Sequence, residues 1–210
     1  MVTTRHTQRW VTTPDGVRVE VDEGIADLLI QLWRWGIATN YSCQNGTDCG
    51  DAYIQFAGAP SARRFVHLAL ACSVDGVRDV SCYFSPRLRS LGPPKQVGDL
   101  GIWHACATCL PFAETYEDLS QDRVSIDFPA GVIESLARTL ATMPAPALPK
   151  LTAHDRALLD GLEADWNQHL AADREALAAQ HQTRGLPSWD EMFADFTVRV
   201  AAARRSSVSA

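Results

Sequence analysis

Gly36-Ile37-Ala38-Thr39-Asn40-Tyr41-Ser42-Cys43-Gln44-Asn45-Gly46, followed by Ala52-Tyr53-Ile54-Gln55-Phe56, is the stretch whose reading decides the fold. The glycine closes an amphipathic segment, and the two apolar-alternating runs around a Gly/Asn loop read as paired strands. The order is therefore helix, strand, polar turn, strand. Cys43 stands where the first strand ends. A strand end opening into an accessible polar loop is a common place to build a site, because the scaffold is rigid and the loop is exposed.

Working outward toward the N-terminus, Arg9 to Thr13 and Val17 to Val21 flank Pro14-Asp15-Gly16, a turn signal that predicts a hairpin. Asp22 falls at an N-cap position and Glu23 suits a first helical turn. Ile25, Leu28, Leu29, Leu32 and Trp33 then recur at helical spacing, with Gly36 as the stop. Toward the C-terminus, Pro60-Ser61 opens a helix whose buried face is Phe65, Val66, Leu68, Ala69 and Cys72. Strands are expected at Val77 to Phe84, Ile102 to Thr108 and Val124 to Phe128. A third helix after Pro129 carries Val132, Ile133, Leu136 and Leu140.

The fold class is thus α+β, a mainly antiparallel sheet with helices on one face, over about residues 7–143. Pro144, Pro146 and Pro149 among alanines make residues 144–150 a Pro/Ala linker. Residues 151–204 read as a helical hairpin and 205–210 as a disordered tail. Thr152 with Asp155 resembles a capping box, and Leu158, Leu159, Leu162, Trp166, Leu170 and Leu177 form a stripe that must be buried somewhere. Packing on the domain and homo-oligomerisation through these helices both satisfy that need.

Composition narrows the function classes. At 210 residues, 46% hydrophobic and 21% charged, the chain can bury one sizeable core. A net charge of -6 argues against bulk DNA binding through the overall field. The apolar runs fall short of the roughly 20 residues a bilayer span needs. The first residues lack the apolar core of a secretory signal, so the expected compartment is the cytoplasm. Six cysteines in a reducing compartment point to thiols or metal ligands rather than a disulfide framework.

Three sets of residues carry candidate chemistry. Cys43 is a candidate catalytic thiol if the chain is an enzyme, with His67 and His104 as eligible activating neighbours. Ser42, Gln44, Asn45 and Trp35 are candidate ligand-binding groups, with Arg63 and Arg64 at a helix start as candidate phosphate contacts. Cys106-Ala107-Thr108-Cys109 has the spacing of a zinc knuckle. With Cys43 and Cys49 it makes a candidate zinc set, His104 being able to replace any one ligand. No Walker motif, dinucleotide fingerprint, nucleophile elbow or His-Glu-x-x-His segment occurs.

The run from Val21 through Gly36-Ile37-Ala38-Thr39 to Ser42-Cys43-Gln44, with Ala52 to Phe56, resembles uncharacterised small proteins of actinobacteria and their phages. These share a Gly-Ile-x-Thr-x-x-Ser-Cys strand. The resemblance covers about residues 17–75 and implies a compact α+β domain. More distantly, Thr39, Ser42, Cys43 and Gly46 are similar to the Thr-x-Ser-Ser-Cys-Ser-Gly-Arg turn of wybutosine-synthesis tRNA methyltransferases, although the final arginine is missing. That likeness implies a place for a substrate or nucleotide at the Ser42 to Gly46 turn.

The leading functional expectation is a phage- or actinobacterial-type binding protein. Its Cys43–Asp51 hairpin loop would receive a small ligand, a nucleotide or a protein partner. Two alternatives stand beside it. One is an enzyme acting on a nucleotide or RNA with Cys43 at the site; the other is a zinc-stabilised protein-interaction module.

Overall fold

The structure is a computed structural model that describes residues 6–44, 51–56, 58–82, 103–109 and 122–183. Strands β1 (Gln8–Thr12) and β2 (Arg18–Asp22) form a hairpin closed by Gly16 N–H to Thr13 O and Thr13 N–H to Val17 O, each 2.9 Å. Gly16 has φ +87°, the left-handed region that the Pro-Asp-Gly turn requires. Helix α1 (Glu23–Arg34) follows at once and ends in a Schellman motif. There Gly36 N–H reaches Trp33 O at 2.9 Å and Ile37 N–H reaches Leu32 O at 3.0 Å, with Gly36 at φ +68°.

Next come β3 (Thr39–Cys43), β4 (Asp51–Phe56) and α2 (Ala59–Ala71). Of the strand expected at Val77 to Phe84, the start is a 3-10 turn (Val77–Asp79) and Ser81–Cys82 form strand β5, while residues 83 and 84 lie outside the described residues. Strands β6 (His104–Cys109) and β7 (Asp122–Pro129) precede α3 (Ile133–Thr142) and α4 (Ala153–Thr183). The main sheet has the order β3-β4-β7-β6-β5, antiparallel throughout except for β5 beside β6. Among the described residues β3 is therefore an edge strand, and β1–β2 is a separate sheet.

Alternation divides the main sheet into two faces. Ala52, Ile54 and Phe56 of β4, with Val124, Ile126 and Phe128 of β7, are completely buried. They join the buried sides of α1, α2, α3 and α4 in one core. An aromatic group of Phe56, Phe65, Trp103 and Phe128, with ring centroids 5.1–5.6 Å apart, fills its centre. Tyr53, Gln55, Ser125 and Asp127 take the opposite face and are half-buried.

The segment read as a spacer is part of this body. Met143, Ala145, Leu148 and Leu151 pack against the core, and the Ala145–Pro146 bond is cis. Thr152 caps α4 by accepting from Asp155 N–H at 3.1 Å and donating to Asp155 Oδ2 at 2.8 Å. Leu159, Leu162, Trp166 and Leu170 of α4 are buried in the same core as the sheet. Up to Leu170 the stripe that called for a partner is thus covered by the chain itself. The second helix of the expected hairpin, residues 184–204, and the tail at 205–210 lie outside the described residues. Among the described residues no helix is long and apolar enough to cross a membrane.

Candidate functional site

The end of β3, the start of α1 and the residues just before β1 meet at one corner. Pairing of Gln8 with Asp22 across the hairpin brings His6 beside the first turn of α1. Asp22 is 8% exposed and sits at the N-cap position, but its side chain makes no cap bond. Instead Oδ1 accepts from Gln8 Nε2 at 2.5 Å and Oδ2 from the Gln44 backbone N–H at 3.2 Å. The expected cap residue is thus diverted to tie β3 to the hairpin. His6, Asp22 and Cys43 each place a ligand-type atom within 4.8 Å of the others. Cys43 and His6 are half-buried.

Gln44 organises the corner. Its side-chain oxygen accepts from Gly24 N–H, and its Nε2 lies 3.2 Å from His6 Nδ1. Because Gly24 N–H can only donate, the amide oxygen must face it and the amide nitrogen must face the ring. Gly24 is the residue that permits this approach, since a Cβ there would overlap Oε1 and stand 2.9 Å from Cδ. Tyr53 is the cross-strand partner of Cys43, and Asp127 is the next in the row. Burial pushes the Tyr53 hydroxyl above the usual tyrosine range, and coulombic repulsion from Cys43, Asp127 and Asp22 when ionised pushes it the same way.

A cleft of about 270 Å³ runs from Asp22 between the hairpin and the outer edge of β3. Leu29 and Trp33 contribute from α1, Glu20 and Val21 from the hairpin, and Asn40 and Ser42 from β3. Trp33 is held there by Nε1–H donating to Thr39 Oγ1 at 2.9 Å.

Several expected site residues lie elsewhere. Trp35 is completely buried under the Schellman turn, so Trp33 is the tryptophan that faces the cleft. Arg63 bridges Asp160 and Glu163 of α4, both at 2.7 Å, and Arg64 donates to Trp35 O at 2.7 Å. Arg63 thus ties α2 to α4, and Arg64 ties α2 to the C-terminal end of α1. His67 pairs with Pro149 O at 2.7 Å, away from Cys43. Asn45, Cys49 and the loop from 45 to 50 lie outside the described residues.

Of the four-cysteine zinc set Cys49 lies outside the described residues, and the backbone holds the other three apart. Cys106 and Cys109 lie in one extended strand, so their Cα atoms are about 10 Å apart, where a knuckle needs a turn. Strand β6 is three places from β3, about 14 Å across the sheet, which separates Cys43 from His104, Cys106 and Cys109. Ser42, Cys43 and Gln44 are the expected residues that do come together. His6 and Asp22 join them without having been foreseen; the hairpin register, counted back from Pro14-Asp15-Gly16, was the signal that could have found them. Compared with protein-family models, curated proteins and solved structures, the chain matches none.

Proposed function

We propose that this chain is a binding protein whose ligand is a small polar molecule seated between the β1–β2 hairpin and the outer edge of β3. The observation that carries the reading is the cleft itself, which ends on the organised Asp22–Gln44 corner. A volume of about 270 Å³ is at the low end for ligand pockets and suits a metabolite-sized molecule better than a dinucleotide or a folded partner. Glu20 and Asp22 line it, and among the described residues its lining contains no Lys or Arg. That chemistry disfavours phosphate and favours a ligand offering N–H or O–H donors, with an apolar part over Leu29 and Trp33. Among the described residues β3 is an edge strand, so its outer side can offer backbone donors and acceptors as well.

The test is a titration of a panel of small amines, amides and guanidines followed by amide and indole NMR. Binding in the cleft shifts Asn40, Ser42 and the Trp33 indole N–H, whereas a nucleoside triphosphate shifts none of them. Ser42→Trp fills the cleft and removes the response while far-ultraviolet circular dichroism stays unchanged. Absence of any shift across the panel, or shifts that survive Ser42→Trp, overturns the reading.

A further inference from the structure

We propose that His6, Asp22 and Cys43 bind a thiophilic divalent transition-metal ion of the zinc class. This goes beyond the cleft reading and does not depend on an organic ligand entering it. One imidazole from the segment before β1, one carboxylate from the end of β2 and one thiol from the end of β3 converge within 4.8 Å. Around a tetrahedral zinc ion, ligand atoms sit about 3.3–3.7 Å apart, given bond lengths near 2.0–2.3 Å. Side-chain rotations that close the triad by about 1 Å therefore suffice.

Charge and softness select the ion. A thiolate and a carboxylate supply two negative charges, which a divalent cation cancels in a half-buried corner. Thiolate ligation excludes magnesium and calcium, which prefer all-oxygen shells. Ion binding displaces the Cys43 thiol proton to solvent as the sulfur lone pair forms the metal bond. Three protein ligands leave one position of a tetrahedral ion for water or another donor. Asp22 keeps spare acceptor directions, because each of its oxygens takes one bond from Gln8 or Gln44. Such outer bonds are what orient a ligating carboxylate.

Gln44 separates this reading from a nucleophilic Cys43. Its amide nitrogen lies 3.2 Å from His6 Nδ1, and because its oxygen is taken by Gly24 N–H the group facing the ring is a donor. Metal ligation uses the same acceptor position, so ligation at Nδ1 exchanges the amide N–H for the cation. A thiolate–imidazolium pair needs N–H on both ring nitrogens, which would set two donors against each other at Nδ1.

The test uses the full chain, stripped by chelator and titrated with cobalt(II) alone. The expected result is one equivalent bound, with a thiolate-to-cobalt charge-transfer band in the near ultraviolet. Cys43→Ser removes the band, and His6→Ala and Asp22→Asn each weaken binding by at least tenfold. Gln8→Ala, which strips a donor from the Asp22 carboxylate, weakens it by about 10–100-fold. Cys72→Ser and the pair Cys106→Ser with Cys109→Ser keep the band. Zinc slows alkylation of Cys43 by iodoacetamide in the parent protein. The proposal falls if the parent shows no band, if the band survives Cys43→Ser, or if it requires Cys106 and Cys109. Alkylation of Cys43 at a rate indifferent to saturating zinc also overturns it, and needs no variant to fold.

Discussion

Gly24 and Gln44 are fitted to each other: the backbone N–H of Gly24 donates to the Gln44 side-chain oxygen, and a Cβ on residue 24 would occupy that oxygen's place. Alanine in a helix is usually worth up to about 1 kcal/mol over glycine. Here the overlap meets the far end of a flexible side chain, so Gln44 swings away and its bond, worth about 0.5–1.5 kcal/mol, is lost. Gly24→Ala should therefore leave the urea midpoint nearly unchanged in the parent, yet raise it in a Gln44→Ala background. The double-mutant cycle then reports a coupling of about 1 kcal/mol. Equal stabilisation in both backgrounds would mean that the contact does not hold in solution.

Arg34, in the last turn of α1, donates to Leu140 O, to Met143 O at 3.0 Å and to Ala141 O at 3.4 Å. These carbonyls belong to the C-terminal end of α3, where helix geometry leaves acceptors without partners. A guanidinium can serve several at once and also offsets the negative end of the helix. Because the side chain is exposed, Arg34→Ala is expected to cost about 1 kcal/mol rather than the full value of its bonds. Arg34→Lys should recover only part of that in urea unfolding, since one ammonium cannot reach all three oxygens. Full recovery by lysine would assign the effect to charge alone.

How much of this was legible in the sequence depends on whether the determinant was local. Gly36 could be read because a Schellman turn needs a left-handed residue, and Pro14-Asp15-Gly16 because its turn chemistry is self-contained. The alternation at 52, 54, 56 and at 124, 126, 128 announced the buried face directly. Thr152 and Asp155 form their capping contacts where the pattern placed them. The site was less legible, since His6, Asp22 and Cys43 meet through sheet register and not through spacing. Asp22 looked like a cap because capping is the local use of an aspartate before a helix, and a long-range partner, the Gln44 N–H, took its carboxylate instead. Trp33 and Trp35 exchanged roles because the reversal at Gly36 turns Trp35 underneath the helix end. Cys106 and Cys109 have knuckle spacing, but the strand runs straight through them.

Trp166 tests whether α4 is a separate module. Its ring is fully buried in the common core, and Arg63 ties α2 to Asp160 and Glu163 on the same helix. Trp166→Ala should cost about 3–5 kcal/mol, the usual range for emptying a large aromatic site. Arg63→Ala should cost about 1 kcal/mol, because its ion pairs are partly solvent-screened. Both variants should shift one cooperative transition, followed in parallel by helical circular dichroism and tryptophan emission. An early loss of helix signal with the sheet still folded would instead make α4 an independent unit.

Asp155 couples that helix to pH. Its carboxylate, 3% exposed, receives Arg78 Nε at 2.8 Å and Nη2 at 3.3 Å, as well as the Thr152 hydroxyl at 2.8 Å. The Arg78 guanidinium, and after it the Thr152 hydroxyl, holds the carboxyl below the usual aspartate range. In the unfolded chain the same group titrates at about 3.9. Above that value both states are ionised and the stabilisation is complete. As pH falls through it, the unfolded chain takes up the proton first, so stability drops until the folded carboxyl also protonates. The gap in melting temperature between parent and Asp155→Asn should therefore be largest at neutral pH and narrow toward about pH 3. A gap that stays constant across that range would show that hydrogen bonding by Thr152 and shape, rather than the ion pair with Arg78, anchor the start of α4.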